Sequence, residues 1–244
     1  MLFLRSESGT DPVLCLWRLD LASSSEHLLV DPRTLADAET ELSPAERARR
    51  ERARESAAGI VRYTTDAAGA QAVMEIGGSI AVVDIASGHV RMLPAADGLF
   101  DARIDPTGQR CAYVADRSLR LIDLTTGVDT ELASDNDPLI SWGRADFIAA
   151  EEMGRSRGFW WAPDGQSLLV NRVDDRSVNC WWIADPANPA NEPTPIRYPA
   201  AGTANPVVTL HHLDLDGEGA RVLIAQAIVE QGGGALGGLA HGAE

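Results

Sequence analysis

The chain has few cysteines, and their placement restricts its chemistry. Its 244 residues include only Cys15, Cys111 and Cys180, which are far apart and form no CxxC pair or metal-ligand spacing. We therefore expect reduced, small apolar side chains of a cytoplasmic protein, with no metal site and no cofactor.

Positive charge is also scarce. The 21 Lys and Arg residues are outnumbered by 36 Asp and Glu residues, which gives a formal net charge of −15. Binding to nucleic acid requires a basic face, so this composition argues against a nucleic-acid partner. Acidity instead favours the attraction of cationic groups such as peptide amino termini, although it also serves solubility.

Long hydrophobic runs are absent. No segment approaches the roughly 18 consecutive apolar residues that a membrane span requires. The first eight residues turn polar too soon for a signal peptide. We therefore expect a soluble, cytoplasmic chain with no membrane partner.

The sequence does contain a repeated hairpin pattern. Three segments, 14–30, 79–93 and 119–132, each join a β-rich run, a polar or glycine turn and a second β-rich run. This pattern predicts β-hairpins. The corresponding residues Asp84 and Asp123 lie 39 positions apart, which is in the range of one four-stranded propeller blade.

A second repeated element supports the same fold. The turns Asp105-Pro106-Thr107-Gly108 and Ala162-Pro163-Asp164-Gly165 each precede an apolar strand, as in the first two strands of a propeller blade, although β-sandwiches also produce this pattern. We expect an all-β fold, a partial β-propeller of roughly three to four blades. The doublets Trp160-Trp161 and Trp181-Trp182 are expected in the blade core with one face toward a central pocket.

One helix interrupts the strand pattern. Ser43-Pro44-Ala45-Glu46 is a capping box followed by alternating charges, which predicts a short inserted helix at about 43–56, solvated and containing a Glu46–Arg50 pair. The proline-rich segment 184–205 is predicted to be a long extended loop. We assign residues 1–230 to the partial propeller and 231–244 to a flexible glycine-rich tail.

The segment 146–165 resembles a known family. Asp146-Phe147-Ile148-Ala149-Ala150-Glu151-Glu152, followed by Trp160-Trp161 and a Pro-Asp-Gly turn, is similar to the substrate-anchoring segment of the dipeptidyl peptidase IV family, within the prolyl oligopeptidase group of serine peptidases. The Arg/Glu-rich helix before Gly59-Ile60-Val61 and the run Ile196–Pro206 also resemble that family. Together these pieces cover about residues 43–216, with the Glu-Glu segment at 146–153.

The resemblance implies a fold and a function. The family fold is an eight-bladed propeller, and its Glu-Glu run lies on a short inserted helix and holds the free α-amino group of the peptide, which explains dipeptide release. Glu151 and Glu152 would then bind the amino terminus of peptide substrates. The Ser-Asp-His triad belongs to a C-terminal hydrolase domain, a partner missing here, so we assign no catalytic residue and expect no hydrolysis by this chain alone. We interpret the chain as a truncated or frame-shifted piece.

Elementary electrostatics agrees with this role. Two adjacent carboxylates repel each other unless a cation lies between them. A peptide α-ammonium supplies that cation and donates three charge-assisted hydrogen bonds.

The family also contacts the substrate backbone through an arginine on a neighbouring blade, but the comparable stretch Val73–Ser79 contains none. The nearby Arg144, Arg155 and Arg157 are expected to pair with Glu151 or Glu152.

Two other functions stay open. In the first, the chain is a non-catalytic propeller scaffold for protein interactions, with Glu151 and Glu152 as surface charges; an open blade edge would favour a covering chain, such as a homo-oligomer. In the second, Gly154–Gly158 spells the G-x-S-x-G motif of an esterase around Ser156, but the flanking sequence lacks the required strand and helix.

The adjacent histidines His211 and His212 should point to opposite faces of a strand and so share no metal easily.

Overall fold

This computed structural model describes residues 1–35 and 43–215, together with the backbone of 221–225. Strands dominate, arranged as four successive sheets and one separate hairpin. The all-β prediction of a partial propeller with three to four blades is confirmed. The predicted tail 231–244 lies outside the described residues.

The first sheet has three antiparallel strands and one short parallel strand. Its antiparallel strands are β1 (Leu2–Arg5), β2 (Val13–Asp20) and β3 (Ser25–Val30), and β4 (Ala58–Gly59) pairs in parallel with β2. The second sheet is an antiparallel meander of four strands in chain order. These are β5 (Tyr63–Thr65), β6 (Gln71–Ile76), β7 (Ser79–Asp84) and β8 (Val90–Pro94).

The third sheet repeats this meander, and the fourth modifies it. The third consists of β9 (Leu99–Ile104), β10 (Arg110–Ala115), β11 (Ser118–Asp123) and β12 (Asp129–Ala133). In the fourth, the inner position is shared by two short strands that both pair with the next strand. Its members are β13 (Ile140–Trp142), β14 (Phe159–Trp161), β15 (Ser167–Asp174), β18 (Val207–Asp214) and β19 (Arg221–Ala225).

The sheets are held together by apolar layers between neighbours. Strand β10 shows the principle, because Cys111 and Tyr113 pack with the second sheet whereas Ala112 and Val114 pack with the fourth. Successive strand residues point to opposite faces, so a middle sheet that is covered on both sides is apolar on both. A third layer joins the first two sheets. This face-to-face stacking brings β5, β9 and β14, which lie at the start of the second, third and fourth sheets, to one common inner edge.

The turns between first and second strands follow the predicted chemistry. Gly108 has φ +75° and Gly165 has φ +70°, the left-handed conformation that these turns require. The buried carboxylate of Asp105 accepts hydrogen bonds from the backbone N–H groups of Gln109 (2.8 Å) and Arg110 (3.1 Å). Asp66 binds the N–H of Ala70 in the same way in the second sheet. The predicted turns are therefore confirmed.

Two α-helices are described, in addition to the short 3-10 helix Pro32–Thr34. Helix α1 (Pro44–Ala53) begins as predicted, because the Ser43 side chain accepts a hydrogen bond from the N–H of Glu46, and the expected Glu46–Arg50 pair forms at 2.8 Å. The helix is solvated along most of its length, as predicted, but the Glu46 side chain is buried. Helix α2 (Phe147–Glu152) is shorter. Neither helix is long and apolar enough to cross a membrane.

The sequence predicted one long extended loop over 184–205, and this prediction is wrong. Strands β16 (Cys180–Ile183) and β17 (Thr194–Arg197) form a separate two-stranded hairpin in which Trp182 lies opposite Pro195. Proline lacks the N–H that a central strand needs, but an edge strand tolerates it. The hairpin exposes Trp181 and Trp182, at 51% and 67% of their surface. The expectation that both tryptophan doublets lie in the blade core is therefore wrong for Trp181-Trp182.

Candidate functional site

The Glu-Glu segment forms a helix that is inserted into the inner edge of the fourth sheet. Helix α2 lies between β13 and β14, and an isolated bridge between Arg144 and Arg157 closes the base of the insertion. The Asp146 carboxylate caps the helix by accepting from the N–H groups of Ile148 (3.1 Å) and Ala149 (3.3 Å). Because the insertion interrupts a strand whose two halves pair with β15, α2 projects from the sheet.

Glu151 and Glu152 form the last turn of α2, and both are exposed. A helix ends in partial negative charge, so two carboxylates at this end are electrostatically unfavourable. The helix has no basic residue in its last turn to offset them. Within the described part of the chain, Glu152 has no hydrogen-bond or ion-pair partner. The end of α2 is therefore a place where a bound cation lowers the electrostatic energy.

One such cation comes from α1. The Arg52 side chain donates from Nε to Oε1 of Glu151, and its guanidinium lies 6.0 Å from the centre of the Phe147 ring. The side chains of both Arg52 and Glu151 keep about a third of their surface exposed. This contact was not predicted, because the two residues are 99 positions apart and no local pattern joins them.

The arginines that were expected to pair with the glutamates have other partners, so that expectation is wrong. Arg155 lies 3.8 Å from the Asp146 carboxylate and donates to the carbonyl of Arg157. Arg144 donates to the carbonyl of Asp116, and Arg157 to the carbonyl of Phe159. These contacts stabilise the base of the insertion, whereas the site cation is supplied by α1.

A buried ion network fixes α1 to the propeller. The Glu46 carboxylate binds the guanidinium groups of Arg49 at 2.7 Å and Arg50 at 2.8 Å. Burial opposes the ionisation of Glu46, but the hydrogen bonds from these arginines outweigh it and lower the pKa of the carboxyl group. These ion pairs lie within α1 and stabilise the helix that carries Arg52.

The network continues into the second and third sheets. Arg62 lies 3.2 Å from both Glu75 and Asp101, and 3.8 Å from Glu46. Burial raises the pKa of Glu75 despite the opposing charge of Arg62. Asp101, a non-glycine residue at φ +56°, also pairs with Arg103 at 2.8 Å. Arg62 therefore links α1 to β6 of the second sheet and β9 of the third.

Aromatic side chains border the site on the hairpin side. The Phe147 ring contacts Tyr198 edge-on at 5.3 Å between centroids, and Tyr198 contacts Trp181 at 5.4 Å. Tyr198 belongs to the run 196–206 that carried the family resemblance. The candidate site thus combines two carboxylates, one guanidinium and an aromatic wall.

The structure does not bring an esterase site together around Ser156. This residue lies in the short connection between α2 and β14, with no strand before it. His211 is buried in β18, where it contacts Trp142 and hydrogen-bonds Thr209, whereas His212 on the other face lies near Asp214. No group of three or more His, Cys, Asp or Glu residues among the described ones is arranged to hold a metal ion.

The chain is similar to known dipeptidyl peptidases. A family model described as the dipeptidyl peptidase IV (DPP IV) N-terminal region matches residues 71–232. Dipeptidyl peptidase 8 of Homo sapiens is 31% identical over 105 residues, which are 38% of this chain and 12% of the human protein. Probable dipeptidyl-aminopeptidase B of Tuber melanosporum is 31% identical over 129 residues, which are 45% of this chain and 14% of that protein.

The fold comparison extends over almost the whole chain. The crystal structure of Porphyromonas gingivalis dipeptidyl peptidase 4 matches 93% of this chain and 31% of its own, with a TM-score of 0.67 and 16% identity. The fold is thus that of a dipeptidyl peptidase propeller region. The family model covers well over half of the chain, so the chain belongs to the dipeptidyl peptidase IV N-terminal region family. It matches only about a seventh or less of the length of these two curated relatives.

Proposed function

We propose that this chain is the substrate-recognising region of a dipeptidyl peptidase IV-like serine peptidase, and that Glu151 and Glu152 bind the free amino terminus of the peptide. The observation that carries the proposal is the pair of exposed carboxylates at the C-terminal end of α2, one of which already binds a guanidinium. A peptide α-ammonium has the charge and the three donors that such a pair accepts.

The position of α2 supports a role in determining which peptide bond is cleaved. The helix projects from the inner edge of the fourth sheet, on a base held by the Asp146 cap and the Arg144–Arg157 bridge. A rigidly held ammonium site fixes where the peptide begins, and so limits which bond can reach a nucleophile. We propose that cleavage itself belongs to the family's hydrolase domain and its Ser-Asp-His triad, not to Ser156.

We further propose that Arg52 is the arginine that contacts the substrate backbone. The stretch Val73–Ser79 offers no arginine, and Arg144, Arg155 and Arg157 have other partners. Arg52 alone among the described arginines touches Glu151. A guanidinium has five donors, so Arg52 can keep one bond to Glu151 and still donate to a peptide carbonyl.

A binding experiment tests the amino-terminus site. Isothermal titration calorimetry compares a peptide with a free amino terminus against the same peptide with that terminus acetylated. We expect the acetylated peptide to bind at least about 10-fold more weakly, because it loses charge-assisted hydrogen bonds. The double variant Glu151→Gln with Glu152→Gln should remove this difference. Equal binding of both peptides by the unmodified chain would contradict the proposal.

The control variant removes the same charge elsewhere. Glu131→Gln with Glu192→Gln changes two exposed glutamates outside the site, and it should retain the preference for a free amino terminus. If both double variants lost the preference equally, the effect would be one of net charge, and the site assignment would fail.

The hairpin favours a second candidate function, that of an interaction scaffold that associates with a second copy of the chain. Trp181, Trp182 and Ile183 are all more than half exposed, and among described strands β16 and β17 pair only with each other. Unpaired strand edges with apolar side chains favour edge-to-edge association between identical hairpins. Light scattering of the unmodified chain and of Trp182→Ser tests this, since a monomer at all concentrations would exclude it.

A further inference from the structure

A cavity at the inner edge of the propeller is basic although the chain is acidic. Its volume is about 320 Å³, and its lining includes Arg103 and Arg157 but no carboxylate. Acidic residues outnumber basic ones 36 to 21 in the whole chain, so a described cavity with two arginines and no acid differs in charge from its surroundings.

The cavity is built by the first strands of three consecutive blades. Thr64 and Thr65 come from β5, Arg103 from β9 and Trp161 from β14, while Arg157 lies just before β14. A Trp161 Nε1 hydrogen bond to the carbonyl of Arg103 (3.1 Å) joins two of these walls. The position of the lining residues is therefore set by the stacking of the blades, independently of the Glu-Glu helix.

Arg157 has positive charge without a carboxylate partner among the described residues. Its Nε donates to the carbonyl of Phe159 at 2.7 Å, and its guanidinium lies 5.5 Å from the Trp160 ring centre. Neither contact neutralises the charge, and its terminal nitrogens have no described hydrogen-bond acceptor. Burial and the repulsion from Arg103 both lower the pKa of Arg157.

The acidic side chains near the cavity do not line it. Asp101 binds Arg103 through two nitrogens, at 2.8 and 3.1 Å, but it is only 1% exposed. Asp66 and Asp105 are buried and accept hydrogen bonds from turn backbone. This arrangement leaves one terminal nitrogen of Arg103 unpaired.

A hydroxyl donor completes the set. Thr64 Oγ1 accepts from the N–H of Ile104 at 3.1 Å, so its own O–H is available to donate. Thr65 is exposed and has no described side-chain partner. Guanidinium forks and hydroxyl donors are the groups that bind planar carboxylates and phosphates.

We propose that this cavity is a binding site for a small oxyanion, a carboxylate or phosphate group, held by Arg157 and Arg103 with the Thr64 hydroxyl. The anion neutralises the unpaired Arg157 and bridges three blades. The cavity is large enough for an inorganic phosphate or for the terminal carboxylate of a peptide segment.

The test uses the full 244-residue chain and inorganic phosphate as the probe, titrated by calorimetry with chloride replacing phosphate at constant ionic strength. We expect saturable binding at one site and a rise in the melting temperature. Arg157→Gln should weaken binding about 10-fold or more, because a charge-assisted fork is lost. Arg117→Gln, the charge-matched change of a half-buried arginine outside the cavity, should bind as the unmodified chain does.

A second arm identifies the source of the anion. A peptide with an acetylated amino terminus cannot use the Glu151 and Glu152 site, and it is compared with the same peptide amidated at its carboxyl end. Preference for the free carboxylate identifies a peptide group, whereas phosphate binding without that preference identifies a free anion; both support the site.

The absence of saturable binding by either probe would overturn the proposal, as would equal binding by the unmodified chain and Arg157→Gln. Should Arg157→Gln fail to fold, Arg157→Lys retains the charge and loses the fork, and it must still bind phosphate more weakly than the unmodified chain.

Discussion

Arg52 in the last turn of α1 donates a hydrogen bond from Nε to Oε1 of Glu151 in the last turn of α2. Two helices that are separated along the chain by the ten strands β4 to β13 thus meet at one ion pair. Glu151 therefore takes its cation from α1. Changes in α1 should affect peptide binding even though α1 belongs to no blade.

The first prediction concerns Arg52 itself. Arg52→Gln should weaken binding of a peptide with a free amino terminus by about 5-fold to 30-fold, because a charge-assisted hydrogen bond to the peptide backbone is worth roughly 1–2 kcal/mol at a partly exposed site. Calorimetric titration measures it. Arg54→Gln removes the same charge from the exposed cap residue of α1 and should leave affinity unchanged. Tighter binding by Arg52→Gln would instead show that Arg52 competes with the peptide.

A second prediction concerns the ion network beneath α1. Glu46→Gln should lower the free energy of unfolding by about 2–4 kcal/mol, because it removes a buried carboxylate that pairs with the partly buried guanidinium groups of Arg49 and Arg50. Urea unfolding measures this loss, and hydrogen exchange should show faster exchange in 44–53. Glu51→Gln, on the exposed face of the same helix, should cost less than about 0.5 kcal/mol. Similar losses in both variants would contradict a specific role for Glu46.

Local patterns were sufficient for much of the fold. The hairpins at 14–30, 79–93 and 119–132 depend on alternation and turn residues that lie close together in sequence, and all three formed. The start of α1 followed from Ser43 and Pro44 for the same reason. Adjacent strands and caps are determined within about ten residues, so the sequence contains their full signal.

The site was only partly predictable, because its members come from distant segments. The run Asp146–Glu152 was recognisable and forms the expected helix, but the Arg52 contact spans 99 positions. The strand β17 was missed because its segment is rich in proline. Proline argues against a strand unless that strand lies at the edge of its sheet. Exposure of Trp181 and Trp182 was missed for a related reason, since an apolar strand does not show whether another sheet covers it.

A third prediction follows from the burial of His211. Desolvation lowers the pKa of this side chain, with a further contribution from the positive charge of Arg172. The unfolded chain therefore binds a proton at a higher pH than the folded chain does. As pH falls below about 6.5, the free energy of unfolding should decrease by up to about 1.4 kcal/mol per pH unit until the folded state is protonated as well.

Urea unfolding at about pH 7 and about pH 5.5 measures the His211 effect, in the range where histidine titrates. His211→Gln should reduce the loss of stability between these two conditions. His27→Gln, at an exposed position in β3, should retain it. An unchanged pH dependence in His211→Gln would assign the acid sensitivity to other groups.

The last prediction concerns Gly158, the last residue of the G-x-S-x-G motif around Ser156. We assign this glycine a structural role and not a catalytic one. A Cβ atom at this position would overlap the backbone of Arg144, across the bridge that closes the base of the α2 insertion. Gly158→Ala should therefore destabilise the fold by about 2 kcal/mol or more, because backbone on both sides must shift. Gly9→Ala is the matched control, since nothing lies near its Cβ position. If Gly158→Ala retains both stability and peptide affinity, the close approach of these strands does not hold α2 in place, and the geometry of Glu151 and Glu152 must be fixed by α1 instead.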